Sequence, residues 1–236
     1  MKLKCKRGQI LILMATTLMA ILLVTTLVSM RTFKSIPRDP EATVLLIKTQ
    51  TRRAVMNCVS IASLSVDTDT SRFIANLQPQ LRNIAVANPG VSIGVASIPT
   101  LQFLWNVPDQ GTTTASINLR VVESQYKLDW TEVDTVSLQL KINTKARQNL
   151  PQSQFVGLTM NVTLTMNNGP SLLNNAVVVN GTGTTTTSYP CIIAQNYGNG
   201  GYRLTTTVPL WTTPAFTLIA TDGNGIKSAC TFVPPS

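Results

Sequence analysis

The sequence predicts one N-terminal membrane-crossing helix, then an α+β unit, then an all-β sandwich. Three observations predict it. Residues Ile10 to Met30 carry no charge. Apolar residues recur at helical spacing from Val44 to Ile84, then alternate with period two from Val91 onward. Short β-prone runs finally succeed one another between turn signals from Phe155 to Phe232.

The elements follow in order. Residues 1–8 form a basic leader with Lys2, Lys4, Lys6 and Arg7 and no acid. Residues 9–34 are predicted as a transmembrane helix, whose uncharged part is about 32 Å long at helical rise, enough for a hydrocarbon core of about 30 Å. Thr16, Thr17, Thr25, Thr26 and Ser29 are tolerated there because each hydroxyl can bond a carbonyl one turn back. The chain's net charge of +9 is concentrated in residues 1–53, where ten basic residues face only Asp39 and Glu41. Flanking a span, such charge meets anionic headgroups and sets orientation. It is not spread over a folded face, which argues against nucleic-acid binding. The expected topology is a single pass through the cell membrane, with the lipid bilayer as partner and the C-terminal part extracellular.

Pro37 and Pro40 interrupt the helix, and residues 41–148 are predicted as the membrane-proximal α+β unit. Val44, Ile47, Val55, Cys58, Val59 and Ala62 share one helical face. Asp67 to Thr70 offer N-caps to a second helix carrying Phe73, Ile74, Leu77, Leu81 and Ile84. Pro79 is expected to kink it, and Asn88-Pro89-Gly90 to stop it. Strands are predicted around Val91–Val95, Ile117–Val121, Tyr126–Trp130 and Val136–Ile142.

Thr144 to Ser153 reads as a linker. Beyond it, residues 154–236 hold short strands separated by Asn167-Asn168-Gly169-Pro170, Asn180-Gly181, Gly198-Asn199-Gly200-Gly201 and Asp222-Gly223-Asn224-Gly225. Their number and spacing predict an immunoglobulin-like β-sandwich.

Little catalytic chemistry is legible. The chain has no histidine, which removes histidine-dependent triads and His-bearing zinc sites. No phosphate loop of recognised form is present. Asp129, Glu132 and Asp134 cluster where a strand turn is expected, as a solvated loop. Asp67 and Asp69 read as helix caps rather than calcium ligands. Asp222 to Gly225 reads as a hairpin turn, lacking the later Glu of a calcium loop. Trp105, Trp130 and Trp211 could stack sugars, but such residues more often fill β-rich cores. No enzyme, catalytic residue, cofactor or metal is therefore expected.

Cys191 and Cys230 lie on apolar strands of the distal domain, and outside the cell they are expected to form a disulfide worth about 4 kcal/mol. Cys5 belongs to the leader, and Cys58 is expected as a buried thiol. Asn161-Val-Thr163 and Asn180-Gly-Thr182 are glycosylation sequons.

Lys4-Cys5-Lys6-Arg7-Gly8-Gln9, followed directly by an apolar helix, resembles the class III signal of type IV pilins, most closely that of archaeal pilin-like proteins. The resemblance covers about 30 residues. It implies a prepilin peptidase that cuts after Gly8 and leaves Gln9 as the new N-terminus. It also implies other pilin-like subunits as partners. Many pilins carry Glu at the fifth mature position, where this chain has Leu13. The expectation is a membrane-anchored extracellular structural or adhesion protein, as a minor pilin or a non-polymerising pilin-like protein. The alternative is an anchored surface module that binds carbohydrate or a cell-envelope partner.

Overall fold

The computed structural model describes residues 17–19, 39–150, 154–180, 186–209 and 215–235. The chain divides into two compact units, residues 1–46 and 47–236. In the first, Asp39 opens helix α1 (Pro40–Ser65): its Oδ1 accepts the Glu41 N–H at 3.0 Å, and its carbonyl accepts the Thr43 N–H at 3.0 Å.

The expected transmembrane span over 9–34 lies, apart from Thr17–Met19, outside the described residues, as do Gly8 and Gln9. Among the described residues no helix is long and apolar enough to cross a membrane. The single-pass architecture is corrected on that finding. The bilayer partner, the cell-membrane localisation with an extracellular C-terminal domain, the anchored pilin-like function and its alternative of an anchored surface binding module all rested on that span and are corrected with it, since no described helix supplies an anchor.

The second unit begins inside α1. Helix α2 (Thr70–Ala87) is capped by Asp69, whose Oδ1 accepts the Ser71 N–H at 2.9 Å and the Arg72 N–H at 3.4 Å. The cap reading of Asp67 and Asp69 therefore holds: Asp67 accepts the Asp69 N–H at 2.9 Å and pairs with Arg72 at 3.0 Å. The helix runs on through Pro79, because Phe73, Leu77 and Leu81 on either side of it are buried in the core.

Among the described residues twelve strands follow. The first five are β1 (Val91–Val95), β2 (Thr100–Leu104), β3 (Gln110–Glu123), β4 (Leu128–Asn149) and β5 (Phe155–Met166). Then come β6 (Gly169–Pro170), β7 (Leu173–Asn180), β8 (Thr187–Pro190), β9 (Ile192–Asn196), β10 (Gly201–Pro209), β11 (Phe216–Asp222) and β12 (Lys227–Phe232). They form two open sheets. The larger has the order β1-β3-β4-β5-β10-β9, with β2 also on β3 and β6 also on β5. The smaller has the order β12-β11-β7-β8.

This corrects the immunoglobulin-like sandwich. Residues 144–149, expected as linker, belong to β4, and β4 pairs with β5 from Leu138↔Met166 to Asn149↔Val156 across one bulge. β5, β10 and β9 are thereby drawn into the sheet of the N-terminal half, leaving four strands for the second sheet. The physical reason is length. A 22-residue β4 extends well beyond the end of β3, and its free edge there is satisfied by β5.

Alternation of buried and more exposed positions holds along β3, β5, β10 and β11. On β3 the buried series is Gly111, Thr113, Ala115, Ile117, Leu119, Val121 and Glu123. The inward face of the long sheet is covered at one end by α1, where Ile47 meets Val91 and Val121. At the other end it meets the small sheet, where Thr113 Oγ1 donates to the Lys227 carbonyl at 2.6 Å. Leu138, Leu140, Leu158, Met160, Leu164, Leu204, Leu218 and Phe232 fill the layer between. Tyr202 ties down the turn before β7: its hydroxyl donates to the Ser171 carbonyl at 2.8 Å and accepts the Leu173 N–H at 3.0 Å.

Candidate functional site

Asp129, Glu132 and Asp134 do not form a solvated turn. They stand within β4, whose alternation continues through them. Asp129 faces outward and pairs with Arg120 at 2.6 Å, which holds its carboxyl below the usual carboxylate range. Trp130, Glu132 and Asp134 share the opposite face. One polar atom of each, Trp130 Nε1, Glu132 Oε2 and Asp134 Oδ2, is buried without a hydrogen-bond partner. Burial pushes the Asp134 carboxyl up, and the charge of Glu132 pushes it further; Arg52 and Lys48 on α1 oppose both. The strip is a half-buried acidic patch opposed by two cations. Among the described residues no group of three or more His, Cys, Asp or Glu is placed to hold a metal ion.

Several other carboxylates are occupied. Asp222 is fully buried: Oδ1 accepts the Asn224 and Ile226 N–H groups at 3.0 and 2.8 Å, and Oδ2 accepts from Asn224 Nδ2 at 2.9 Å. That is a hairpin turn, as its Asp-Gly-Asn-Gly sequence predicts. Asp109 holds Lys145 through two contacts of 2.7 Å. Trp105 Nε1 donates to Thr113 Oγ1 at 2.9 Å, and its ring meets Phe103 edge-on. Trp211 lies outside the described residues.

Cys191 and Cys230 are free thiols, which corrects the expected disulfide. Cys230 is on β12 and Cys191 directly follows β8. β11 and β7 lie between those strands. Three strand spacings amount to about 14 Å, about twice the Cα reach of a disulfide. Burial pushes each thiol up to about 12, and that of Cys58 up to about 11. At neutral pH these sulfurs are protonated and poorly nucleophilic. The expected result is slow labelling by a thiol reagent in the native protein, complete labelling in denaturant, and a melting temperature indifferent to reductant. A bridge worth about 4 kcal/mol would instead make reduction lower the melting temperature by roughly 8–16 °C.

The sequons gain no support as glycan sites. Asn161 stands within β5 with its Nδ2 donating to Thr144 Oγ1 at 2.8 Å, and Asn180 at the end of β7 is buried. A glycan acceptor needs its amide nitrogen in solvent.

Among the described residues the fold leaves one sheet edge open. The ends of the sheets are guarded in several of the usual ways. β9 carries a bulge between its partners Arg203 and Leu204, and β8 ends in Pro190. β12 is capped where Pro108 bridges Thr231 and the Asp109 N–H donates to the Thr231 carbonyl at 2.8 Å. β1 has α2 against it. β2 has no bulge and no helix against it, and its prolines, Pro99 and Pro108, lie outside the strand. Its five residues, Thr100-Leu-Gln-Phe-Leu104, are uncharged and pair with β3 in unbroken register from Thr100↔Ser116 to Leu104↔Thr112. Leu101 is buried, Phe103 half-buried, and Leu104 is 56% exposed; Ile98 beside it is 78% exposed. Sequence reasoning misses β2, although its alternation between Pro99 and Pro108 is there to find.

A second concave feature lies between α1 and α2, a groove of about 350 Å³ lined mainly by carboxamides. No family model matches the chain, and no curated protein or solved structure matches it.

Proposed function

We propose that the protein is a non-catalytic interaction module that pairs with a second copy of itself through β2. The observation that carries this is the unguarded edge. A free strand edge presents unpaired N–H and C=O groups, and another extended strand satisfies them. The pattern of β2 suits its own copy. Antiparallel pairing about a two-fold axis at Gln102 sets Leu101 of one copy opposite Phe103 of the other on the core face. On the outer face it sets Thr100 opposite Leu104 and brings the two Gln102 carboxamides together. Aliphatic–aromatic cross-strand pairs each contribute about 0.2–1 kcal/mol. Pro99 and Pro108 bracket the pairing and confine it to a short, isologous contact. The carboxylates support the non-catalytic reading, since Asp67, Asp69 and Asp222 are spent on backbone N–H groups and Asp129 on Arg120.

Sedimentation of the full chain over a concentration series tests it. The expected result is a reversible monomer–dimer equilibrium. Gln102→Lys, which sets two ammonium groups face to face, should abolish it, and mixing that variant with Gln102→Glu should restore a heterodimer. Gln195→Lys on β9 should leave the equilibrium intact. A monomer at every concentration, or a dimer indifferent to Gln102→Lys, would sink the proposal.

A further inference from the structure

The geometry points to the groove between α1 and α2 as a binding site for a carboxylate-bearing stretch of extended peptide. This does not rest on the pairing of β2. Gln50, Arg53 and Asn57 stand at positions i, i+3 and i+7 of α1 and share one face. Gln80, Asn83 and Ala87 repeat that spacing on α2. The helices run antiparallel, with Asn57 Nδ2 reaching Gln80 Oε1 at 3.5 Å and Asn88 Nδ2 donating to Gln50 Oε1 at 3.0 Å. Ala54, Ile84 and Ala87 provide small or aliphatic walls, which keep the groove open between the longer polar side chains.

Two groups in this groove have nothing to bind. The side chains of Arg53 and Asn83 make no hydrogen bond or ion pair among the described residues. No carboxylate lines the groove, and no acid stands three or four residues from Arg53 along α1. A guanidinium without a partner takes a carboxylate in bidentate fashion. Carboxamides carry both a donor and an acceptor, which matches the N–H and C=O of a peptide backbone; Asn83 has both to offer and Gln50 its Nε2, while Gln80 donates to Cys58 Sγ and the Asn76 carbonyl and accepts from Asn57. The distance from Gln50 to Asn57 is about 10 Å at helical rise, the length of about three extended residues. The site therefore fits a short strand with one acidic side chain over Arg53.

The test titrates the full chain with acetyl-Ala-Asp-Ala-amide and with its Asn counterpart, followed by amide chemical shifts or calorimetry. The Asp peptide should saturate the groove and bind at least about tenfold tighter than the Asn peptide, since bonds to charged groups exceed neutral ones. Arg53→Gln should erase that preference, while Arg82→Gln, on α2 outside the groove, should leave it. Asn83→Ala should weaken both peptides. These exposed positions leave the fold intact, which the melting curve checks. No saturable binding, equal binding of the two peptides, or a preference that survives Arg53→Gln would overturn the inference. Sodium acetate that reproduces the full effect at equal concentration would overturn it as well, by removing the need for a peptide backbone.

Discussion

Gly111→Ala is expected to cost about 3 kcal/mol and to lower the melting temperature by roughly 6–12 °C for a chain of this size. Gly111 sits on β3 where the two sheets come closest. A Cβ built there would fall against the carbonyl oxygen of Ala229 on β12. Its backbone dihedral is not the reason, since it is not among the positive-φ glycines. The cost depends on whether either strand can retreat. β3 is held by fourteen consecutive pairs with β4 and by the full register of β2. β12 is held by β11 from Phe216↔Phe232 to Thr221↔Lys227, and by the 2.6 Å bond from Thr113. Retreat breaks ladder bonds on one side or the other. Gly157→Ala is the control: its Cβ would meet Gln148 atoms at 3.7 and 3.8 Å, ordinary contact distances. That variant should be neutral or slightly stabilising. Calorimetry of the two variants settles the matter, and a loss below about 1 kcal/mol for Gly111→Ala would show that the sheets slide apart freely.

Asp222→Ala should cost about 2–4 kcal/mol, because buried donors left without an acceptor carry their full desolvation penalty. The carboxylate accepts from two backbone N–H groups, and the bond to Ile226 is itself buried. A carboxamide in place of the acid keeps one acceptor oxygen, so Asp222→Asn should lose less. Added calcium should leave the wild-type melting curve unchanged, since Asn224 and the turn N–H groups already occupy both oxygens. A calcium-dependent rise in melting temperature would contradict the turn assignment.

Local chemistry was the legible part of this chain. Asp69 announced its helix, Asn88 ended it, and Asn167-Asn168 supplied the left-handed turn after β5, with φ of 49° and 65°. β5 itself was readable end to end from its alternation. What could not be read was which strand pairs with which. Thr144 to Asn149 are polar and mostly exposed in the structure, so they carry the composition of a linker while serving as strand. That one ambiguity separated two modules that share a sheet. Glu132 and Asp134 misled for the opposite reason: their charge suggested solvent, whereas the period-two series from Leu128 to Val136 places them inward. The cysteines failed on topology, because both lie on apolar segments yet on opposite sides of the small sheet. The groove's Arg53 and Asn83 were visible only as helix-surface residues, and their common lack of partners is a property of the folded pair of helices.

The contact between Thr113, Lys227 and Ser63 has a consequence for how the chain comes apart. Ser63 Oγ accepts the Lys227 N–H at 3.0 Å across a sequence separation of 164, and Thr113 reaches the same residue across 114. The β3–β4 hairpin is local by comparison, its most distant pair being Gln110↔Lys141. Closing a loop of 164 residues rather than 31 costs about 1.5 kcal/mol more in chain entropy. The latch of the small sheet onto the long one is thus the contact that chain entropy favours least. Sub-global opening is expected to begin there, exposing the inner face of β12 while the β3–β4 hairpin remains folded; amide exchange faster in β12 than in β3 and β4 is the result that checks it.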